Sequence, residues 1–141
     1  MDMSDIVDIA TSGMRAERTR MTVTASNIAN AQTTRTSEGG PYRRRDPVFE
    51  SQPVGSSFAS TLSRKLRAVA VTRIAEDQRD PIERYVPGHP DANESGYVAF
   101  PNVNLVEEQA NLVSSSRGFQ ANLLVMQKVR GMAEALLRVG Q

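Results

Sequence analysis

The histidine and the clustered carboxylates are the first candidates for chemistry in this sequence of 141 residues. His89 is the only histidine and there is no cysteine, so a zinc-type metal site has no nitrogen or sulfur companion. We interpret His89 as a loop residue and the carboxylates as a solvated surface, with no nucleophile or base near them in the pattern. We therefore predict no enzymatic activity and no catalytic, cofactor-binding or metal-binding residue. The carboxylates are Asp77, Asp80, Asp91 and Glu94.

Arg43–Arg45 is the longest run of one charge, and Tyr42 is its one aromatic neighbour. Such a cluster can bind phosphate groups, so a small nucleic-acid-binding module using Arg43–Arg45 is an alternative function. Asp46 follows at once, and 17 basic and 16 acidic side chains give a formal net charge of +1. This balance supplies no broad field for attracting nucleic acid or anionic lipid. We therefore expect no nucleic-acid partner, and a solvated or inter-subunit role for the arginines.

The elements that position these residues are indicated by the prolines. All seven prolines lie between Pro41 and Pro101, and the two flanks contain none. Because proline disrupts helix interiors, this distribution favours long helices at both ends of the chain. The predicted fold class is mainly α, with two long terminal amphipathic helices that pair as a coiled-coil-like domain. We predict an N-terminal helical arm at 1–31, a small irregular β-rich or loop segment at 32–103, and a C-terminal helical arm at 104–141.

The first arm, from about Ser4 to Asn30, has apolar residues in steps of three and four. This spacing places them on one face of an amphipathic helix. Asn30 tolerates the left-handed backbone conformation that often follows a helix, so we expect the helix to end there. The residues predicted to pack between subunits on this face are Ile6, Ala10, Met14, Met21, Ala25 and Ile28.

The second arm, from about Asn104 to Arg138, has an apolar residue at every seventh position from Leu105 to Ala133. A repeat of 3.5 residues per turn favours a left-handed supercoil around a partner helix. The two arms can pack against each other in one chain or against other copies, and the small residues and short middle segment favour other copies. The packing residues predicted here are Leu105, Leu112, Phe119, Leu123, Met126 and Leu136.

The middle segment has short groups of β-branched and aromatic residues that predict three or four strands. Glycine and proline predict turns at Glu38–Pro41 and Pro87–Asp91. We interpret residues 51–65 as a mobile loop or a short amphipathic turn around Phe58 and Leu62. The predicted strands lie around Val48–Phe49, Val69–Ile74, Tyr85–Val86 and Tyr97–Phe100.

The N-terminus has aspartates at positions 2, 5 and 8, where a secretory signal has a basic start and an apolar run. No stretch reaches the ~18 apolar residues that are typical of a membrane span. We therefore expect a cytosolic protein, or one that is exported by a route that recognises an uncleaved N-terminus.

The inner ends of the arms contain two motifs, Ala25–Thr34 in the first arm and Pro101–Asn104 followed by Ser116–Asn122 in the second. These resemble the N-terminal and C-terminal motifs of flagellar rod and hook proteins. Gly118–Phe119 departs from the Ala-Tyr pair that is more usual in the family. Gly39–Arg43 and Gly88–Asn93, with the short middle segment, are similar to the proximal rod members. The matching motif residues are Ser26, Asn27, Asn30, Thr33, Thr34, Pro101, Asn102, Arg117, Gln120 and Asn122.

This resemblance implies a structural subunit of the bacterial flagellar basal body. Such a subunit is exported by the flagellar type III apparatus without a cleaved signal peptide, and it polymerises through its terminal helices into the periplasmic rod. The implied partners are other copies of the chain, other rod proteins, the basal adaptor and membrane-ring components, and the export apparatus. The resemblance implies no cofactor and no membrane span.

Overall fold

The computed structural model describes residues 3–54 and 66–139. Two long helices flank a small middle segment of antiparallel strands, so the predicted fold class is confirmed. Within these two ranges, no helix combines the length and apolarity needed to cross a bilayer. In chain order the elements are α1 (Met3–Ala29), β1 (Arg45–Pro53), β2 (Arg67–Glu76), β3 (Ile82–Tyr85), β4 (Tyr97–Phe100) and α2 (Leu105–Val139).

Asn104 begins α2 as its N-cap. The Asn104 side-chain oxygen accepts hydrogen bonds from the backbone N–H groups of Val106 (3.0 Å) and Glu107 (3.4 Å). These N–H groups have no partner within the helix, so the cap satisfies them. Glu107 and Glu108 lie in the first turn, where their charge complements the helix dipole.

Asn30 ends α1 through its side chain. The Asn30 Nδ2 group donates to the Ser26 carbonyl oxygen (2.9 Å), which satisfies a carbonyl of the last turn. The prediction of a left-handed conformation at Asn30 is wrong, because every positive φ angle in the described ranges belongs to a glycine. The hydrogen bond from the Asn30 side chain satisfies a terminal carbonyl of α1 without a left-handed residue.

The two helices pack antiparallel to each other. Asn27 near the end of α1 contacts Glu108 near the start of α2, and the Thr11 hydroxyl donates to Met126 Sδ (3.5 Å). The arms therefore pair within one chain. With 27 residues in α1 and 35 in α2, the last turns of α2 extend beyond Met3, the first described residue of α1.

β1 and β2 form an antiparallel sheet that packs against α1. The backbone N–H of Val69 donates to Ser12 Oγ (3.1 Å), and the Arg20 guanidinium lies 4.5 Å from the centre of the Phe49 ring. α1 therefore contacts both α2 and this sheet. Residues 51–53, predicted as loop, belong instead to β1 because they pair in register with the start of β2. Phe58 and Leu62 lie outside the described residues.

β3 and β4 form a second antiparallel pair, with Ile82 opposite Phe100 and Tyr85 opposite Tyr97. Among the described helices and strands, these two pack only against each other. Both predicted turns are confirmed in the middle segment. The turn after β3 is joined to the segment after α1 by a hydrogen bond from the Thr34 hydroxyl to the Asp91 carboxylate (2.8 Å).

The buried interior is small and partly polar. The largest side chains that are almost completely covered are Glu108, Val98 and Asn27. Because two of these three are polar, hydrogen bonding matters at the junction of the helices as much as apolar packing does. The buried residues include Ala10, Ala16, Val23, Tyr42, Val98 and Val129, with the polar Thr24, Asn27, Glu108 and Ser115.

Candidate functional site

His89 and Asp91 stabilise a turn. The His89 Nδ1 atom accepts a hydrogen bond from the Asp91 backbone N–H (3.1 Å), and the Asp91 carboxylate also lies 3.6 Å from the Arg35 guanidinium. Across residues 3–54 and 66–139, no three His, Asp or Glu side chains are grouped closely enough to hold a metal ion. The contacts of this pair therefore serve to hold the turn in place.

Asp77 pairs with Arg79 in the turn after β2. The Arg79 side chain donates to the Asp77 carboxylate (Nε–Oδ2 2.7 Å), and the Arg79 backbone N–H donates to it as well (2.9 Å). These hydrogen bonds favour the ionised form, so they lower the pKa of Asp77 from 3.8 to about 2.

This pair should contribute to the loss of stability in acid. Because the pKa of Asp77 is lower in the folded chain than in the unfolded chain, its contribution is present above pH ~4 and is lost as the pH falls toward ~2. We expect Asp77→Asn to lower the urea midpoint at pH 7, and the difference from wild type to vanish near pH 2. Arg79→Met should give the same result. An Asp77 carboxyl that titrates near pH 4 by NMR in the folded chain would contradict this expectation.

The predicted basic cluster Arg43–Arg45 contacts other parts of the chain. Arg45 donates to the Glu76 carboxylate (Nη2–Oε1 3.0 Å), and Arg43 donates to the Asp77 carbonyl oxygen (3.4 Å). The guanidinium of Arg44 is largely buried. These internal contacts favour a structural role over the phosphate-binding alternative.

A buried polar network lies where both helices meet the middle segment. Arg44 Nε donates to Glu108 Oε1 (2.8 Å), and Asn27 Nδ2 donates to Glu108 Oε2 (2.9 Å). The Glu108 side chain is 1% exposed and the Arg44 side chain 12%. Burial lowers the pKa of Arg44, but the hydrogen bond and charge of Glu108 outweigh it and raise that pKa overall. Glu108 thus favours the charged form of the Arg44 guanidinium.

Asn27 extends the network to the start of β1. Its side-chain oxygen accepts hydrogen bonds from the Tyr42 hydroxyl (2.9 Å) and the Arg45 backbone N–H (2.9 Å), and its Nδ2 group also donates to the Arg45 carbonyl (2.8 Å). Within the described part of the chain, no buried side-chain nitrogen or oxygen lacks a partner. We call Asn27, Tyr42, Arg44 and Glu108 the polar network. It joins α1, α2 and the middle segment.

Small residues let α1 and α2 approach closely. A Cβ atom added at Gly13 would lie 2.9 Å from the Asn122 amide nitrogen, and one added at Gly118 would lie 3.1 Å from the Glu17 carboxyl carbon. Neither position has room for a side chain unless its neighbour moves. The absence of a side chain at Gly118 thus leaves room for the carboxyl group of Glu17.

The side of α2 that faces α1 follows a heptad line next to the predicted one. Glu108, Ser115 and Val129 are buried, and Asn122 faces Gly13. These four positions are seven residues apart, so they form one side of the helix, which we call the seam. The predicted line from Leu105 to Ala133 lies beside the seam.

Sequence comparisons identify the family. The profile described as "Flagella basal body rod protein" matches residues 8–35, and "Flagellar basal body rod FlgEFG protein C-terminal" matches residues 94–139. Proteins named "Flagellar basal-body rod protein FlgC" are also similar. The Bacillus subtilis protein is 38% identical over 96% of both chains, and that of Salmonella typhimurium is 36% identical over 100% of both. The Borreliella burgdorferi protein is 35% identical over 100% of this chain and 99% of its own.

The chain belongs to the FlgC family of flagellar basal-body rod proteins. As a FlgC-type protein it is a structural subunit of the basal-body rod. The function therefore depends on its surfaces and on how the arms present them.

The motif residues of this FlgC-type chain near the end of α1 make internal contacts. The Ser26 hydroxyl lies 3.4 Å from the Tyr42 hydroxyl, and the Thr33 hydroxyl donates to the Asn30 side-chain oxygen (3.2 Å). Thr34, as noted, binds Asp91. These residues join α1 to the segment that follows it.

The motif residues around α2 are divided between internal contacts and the surface. Pro101 is buried, and Asn102 Nδ2 donates to the Asp80 carbonyl (3.3 Å). Asn122 Nδ2 donates to the Gly118 carbonyl (2.9 Å) from within the seam. Arg117 and Gln120 are exposed.

The predicted subunit-packing residues differ in exposure. On α1, Ala10 is buried and Ala25 is exposed, while the others are half-buried: Ile6, Met14, Met21 and Ile28. On α2, Leu112, Phe119 and Met126 are half-buried, and Leu105, Leu123 and Leu136 are exposed. Their role between subunits stays a prediction.

The side of α2 opposite the seam carries exposed apolar residues. Val106, Val113 and Leu124 are 75%, 51% and 58% exposed. Val106 and Leu124 each lie nine residues from Ser115, which is half a rotation in an α-helix. We call these three residues the outer ridge. Beyond the start of α1, Leu136 and Leu137 are also exposed.

An open apolar groove of about 630 Å³ lies between the start of α1 and the second half of α2. Its apolar lining comes from both helices, and it lies next to the exposed end of α2. The lining includes Met3, Val7, Leu123, Met126, Val129 and Ala133.

Three residues of the polar network, Tyr42, Arg44 and Glu108, were not predicted as structural residues. Glu108 offered one signal, because it is a carboxylate seven residues before Ser115 on the side of α2 that has small residues. A carboxylate at such a position indicates a buried partner. Nothing in the sequence distinguished Arg44 from Arg43 and Arg45.

Proposed function

We propose that this chain polymerises into the periplasmic rod of the flagellum through its paired arms. In this proposal residues 1–31 and 104–141 form the assembly unit, and residues 32–103 lie outside it. The flagellar type III apparatus exports the chain before assembly. The protein acts as a mechanical element and not as an enzyme.

The observation that carries the proposal is the outer ridge of α2. The seam side of α2 is covered by α1, whereas the ridge exposes large apolar side chains along several turns. Large exposed apolar side chains that recur along one side of a helix are candidates for an interaction site. Neighbouring subunits would bury it.

The chain also offers unlike surfaces for different neighbours. The outer ridge lies on one side of α2, and the apolar groove lies at the open end of the helix pair. Contacts between unlike surfaces produce open-ended helical assemblies instead of closed pairs. This favours growth into a filament.

The proposed partners follow from the family. The relatives are named as basal-body rod proteins, so the proposed neighbours are other copies of this chain and other rod proteins. Basal adaptor and membrane-ring components would contact the end of the rod. The basic cluster is engaged internally, so nucleic acid is not proposed as a partner.

Cysteine cross-linking in purified basal bodies tests the proposal. The chain has no cysteine, so one introduced thiol reports a single position. We expect Val113→Cys to be present in the rod fraction and to cross-link to a neighbouring subunit. Ser115→Cys is the matched control: its position lies two residues away and is 0% exposed, so it should not react. Absence of the otherwise stable protein from the rod fraction would contradict the proposal.

A further inference from the structure

Packing along the seam allows more than one register of the two helices. Glu108, Ser115 and Asn122 are spaced by seven, and α1 offers Gly13 opposite Asn122. Sliding α2 by one heptad would place Ser115 opposite Gly13, where a small side chain also fits. Small residues therefore permit a close helix pair in both registers.

The charged residues of the two helices do not by themselves exclude the shifted register. In the observed register Glu108 lies opposite Asn27, and the residue one heptad earlier on that side of α1 is Arg20. The same sliding would bring Glu108 toward Arg20, which now donates to Glu17 (3.4 Å). In the shifted register the Glu108 carboxylate would thus still lie near a positive charge, that of Arg20.

We propose that the polar network selects the register in which α1 and α2 pair. In the observed register both oxygens of Glu108 have partners, Arg44 on one side and Asn27 on the other. Sliding would take the Glu108 carboxylate away from the buried guanidinium of Arg44 and leave only the exposed Asp46 carboxylate, 3.4 Å away, as an ion-pair partner. Removing the buried partner of a buried charge is strongly unfavourable, so one register is preferred.

Asn27 links the register of the two helices to the position of the middle segment. Its other hydrogen bonds go to the Tyr42 hydroxyl and to the backbone of Arg45. The end of α1 is therefore fixed to β1, and Glu108 fixes α2 to both. A buried polar residue that specifies register at some cost in stability is well attested in helix pairs.

If the polar network selects the register, its removal should change the register of the two helices without unfolding the chain. Replacing both charged partners by apolar residues, as in Arg44→Met/Glu108→Leu, removes the buried charges together. Asn27 retains its bonds to Tyr42 and Arg45. The variant should remain folded, and the two helices should populate both registers.

Disulfide trapping in the purified full-length chain distinguishes the registers. A Cβ at Gly13 lies 3.0 Å from Asn122 Cγ, so Gly13→Cys/Asn122→Cys is within disulfide range in the observed register. Gly13→Cys/Ser115→Cys reports the shifted register. Each pair is oxidised at a concentration where the chain is monomeric, and the intramolecular link is quantified by peptide mapping.

With the polar network intact, we expect the 13–122 link and little 13–115 link. In the Arg44→Met/Glu108→Leu background, the yield of the 13–115 link should rise about tenfold or more, the ratio that a 1.4 kcal/mol change produces. Arg130→Met/Glu134→Leu, which removes an exposed ion pair of α2 by the same substitutions, is the matched control and should change neither yield.

Circular dichroism and urea unfolding accompany the trapping. The proposal requires that the apolar variant keep its helical content and a urea midpoint no lower than that of wild type. A folded variant that forms only the 13–122 link would overturn it. Loss of helical structure would also overturn it, because the polar network would then supply stability and not register. Neither result depends on assembly, so they leave the proposed rod function untouched.

Discussion

Glu108→Ala is expected to lower the free energy of unfolding by about 3–5 kcal/mol, the range for breaking one side of a buried ion pair. The substitution removes the carboxylate that pairs with Arg44 and accepts from Asn27. Arg44, with its side chain only 12% exposed, would then lose its buried partner and keep only the exposed Asp46 carboxylate at 3.4 Å. Since domains are stable by only about 5–15 kcal/mol, this loss is a large share of the total stability of the chain.

Urea titration followed by circular dichroism measures this change. Glu107→Ala is the matched control, because Glu107 lies in the same turn of α2 and is exposed. It should change the free energy of unfolding by no more than about 0.5 kcal/mol. A loss below about 1 kcal/mol for Glu108→Ala would show that water or another group replaces the carboxylate, contrary to the described burial.

Leu124→Asp is expected to abolish motility without destabilising the isolated chain. Leu124 is 58% exposed on the side of α2 that faces away from α1. Exposed substitutions usually change stability by no more than about 0.5 kcal/mol, so the free subunit should stay folded. In the rod, the same position would place a carboxylate in a desolvated contact, where an unpaired charge is unfavourable.

The measurements are swimming motility, the amount of the variant in the rod fraction, and urea unfolding of the purified chain. Leu124→Met keeps an apolar side chain of similar size at the same position and should support normal motility. Export of each variant is confirmed separately. Normal rods containing Leu124→Asp would show that the outer ridge does not contact a neighbour.

The elements were predictable because their signals are local. Proline distribution and apolar periodicity place both helices within a residue of their observed ends. The β-branched and aromatic groups overlap β1 to β4, although β1, β2 and β3 are longer than predicted and Val86 follows the end of β3. The antiparallel partner of residues 51–53 lies in β2, and such pairing depends on distant sequence.

The seam was less predictable, because apolar periodicity identifies only apolar residues. The side of α2 that faces α1 contains the buried Glu108 and Ser115 and the half-buried Asn122, which that search does not count. The burial of Glu108 depends on partners from other segments, above all Arg44. The motif resemblance marked Asn27 and Asn122 without indicating what they contact.

The Arg44–Glu108 and Asn27–Glu108 contacts join residues that are 64 and 81 positions apart in sequence. Closing loops of that length costs conformational entropy before the contacts stabilise the chain, so contacts of this kind tend to form late in folding. A contact absent from the transition state affects mainly the unfolding rate. We therefore expect the polar network to slow unfolding. Weakening it should shorten the lifetime of the folded subunit and leave its folding rate nearly unchanged.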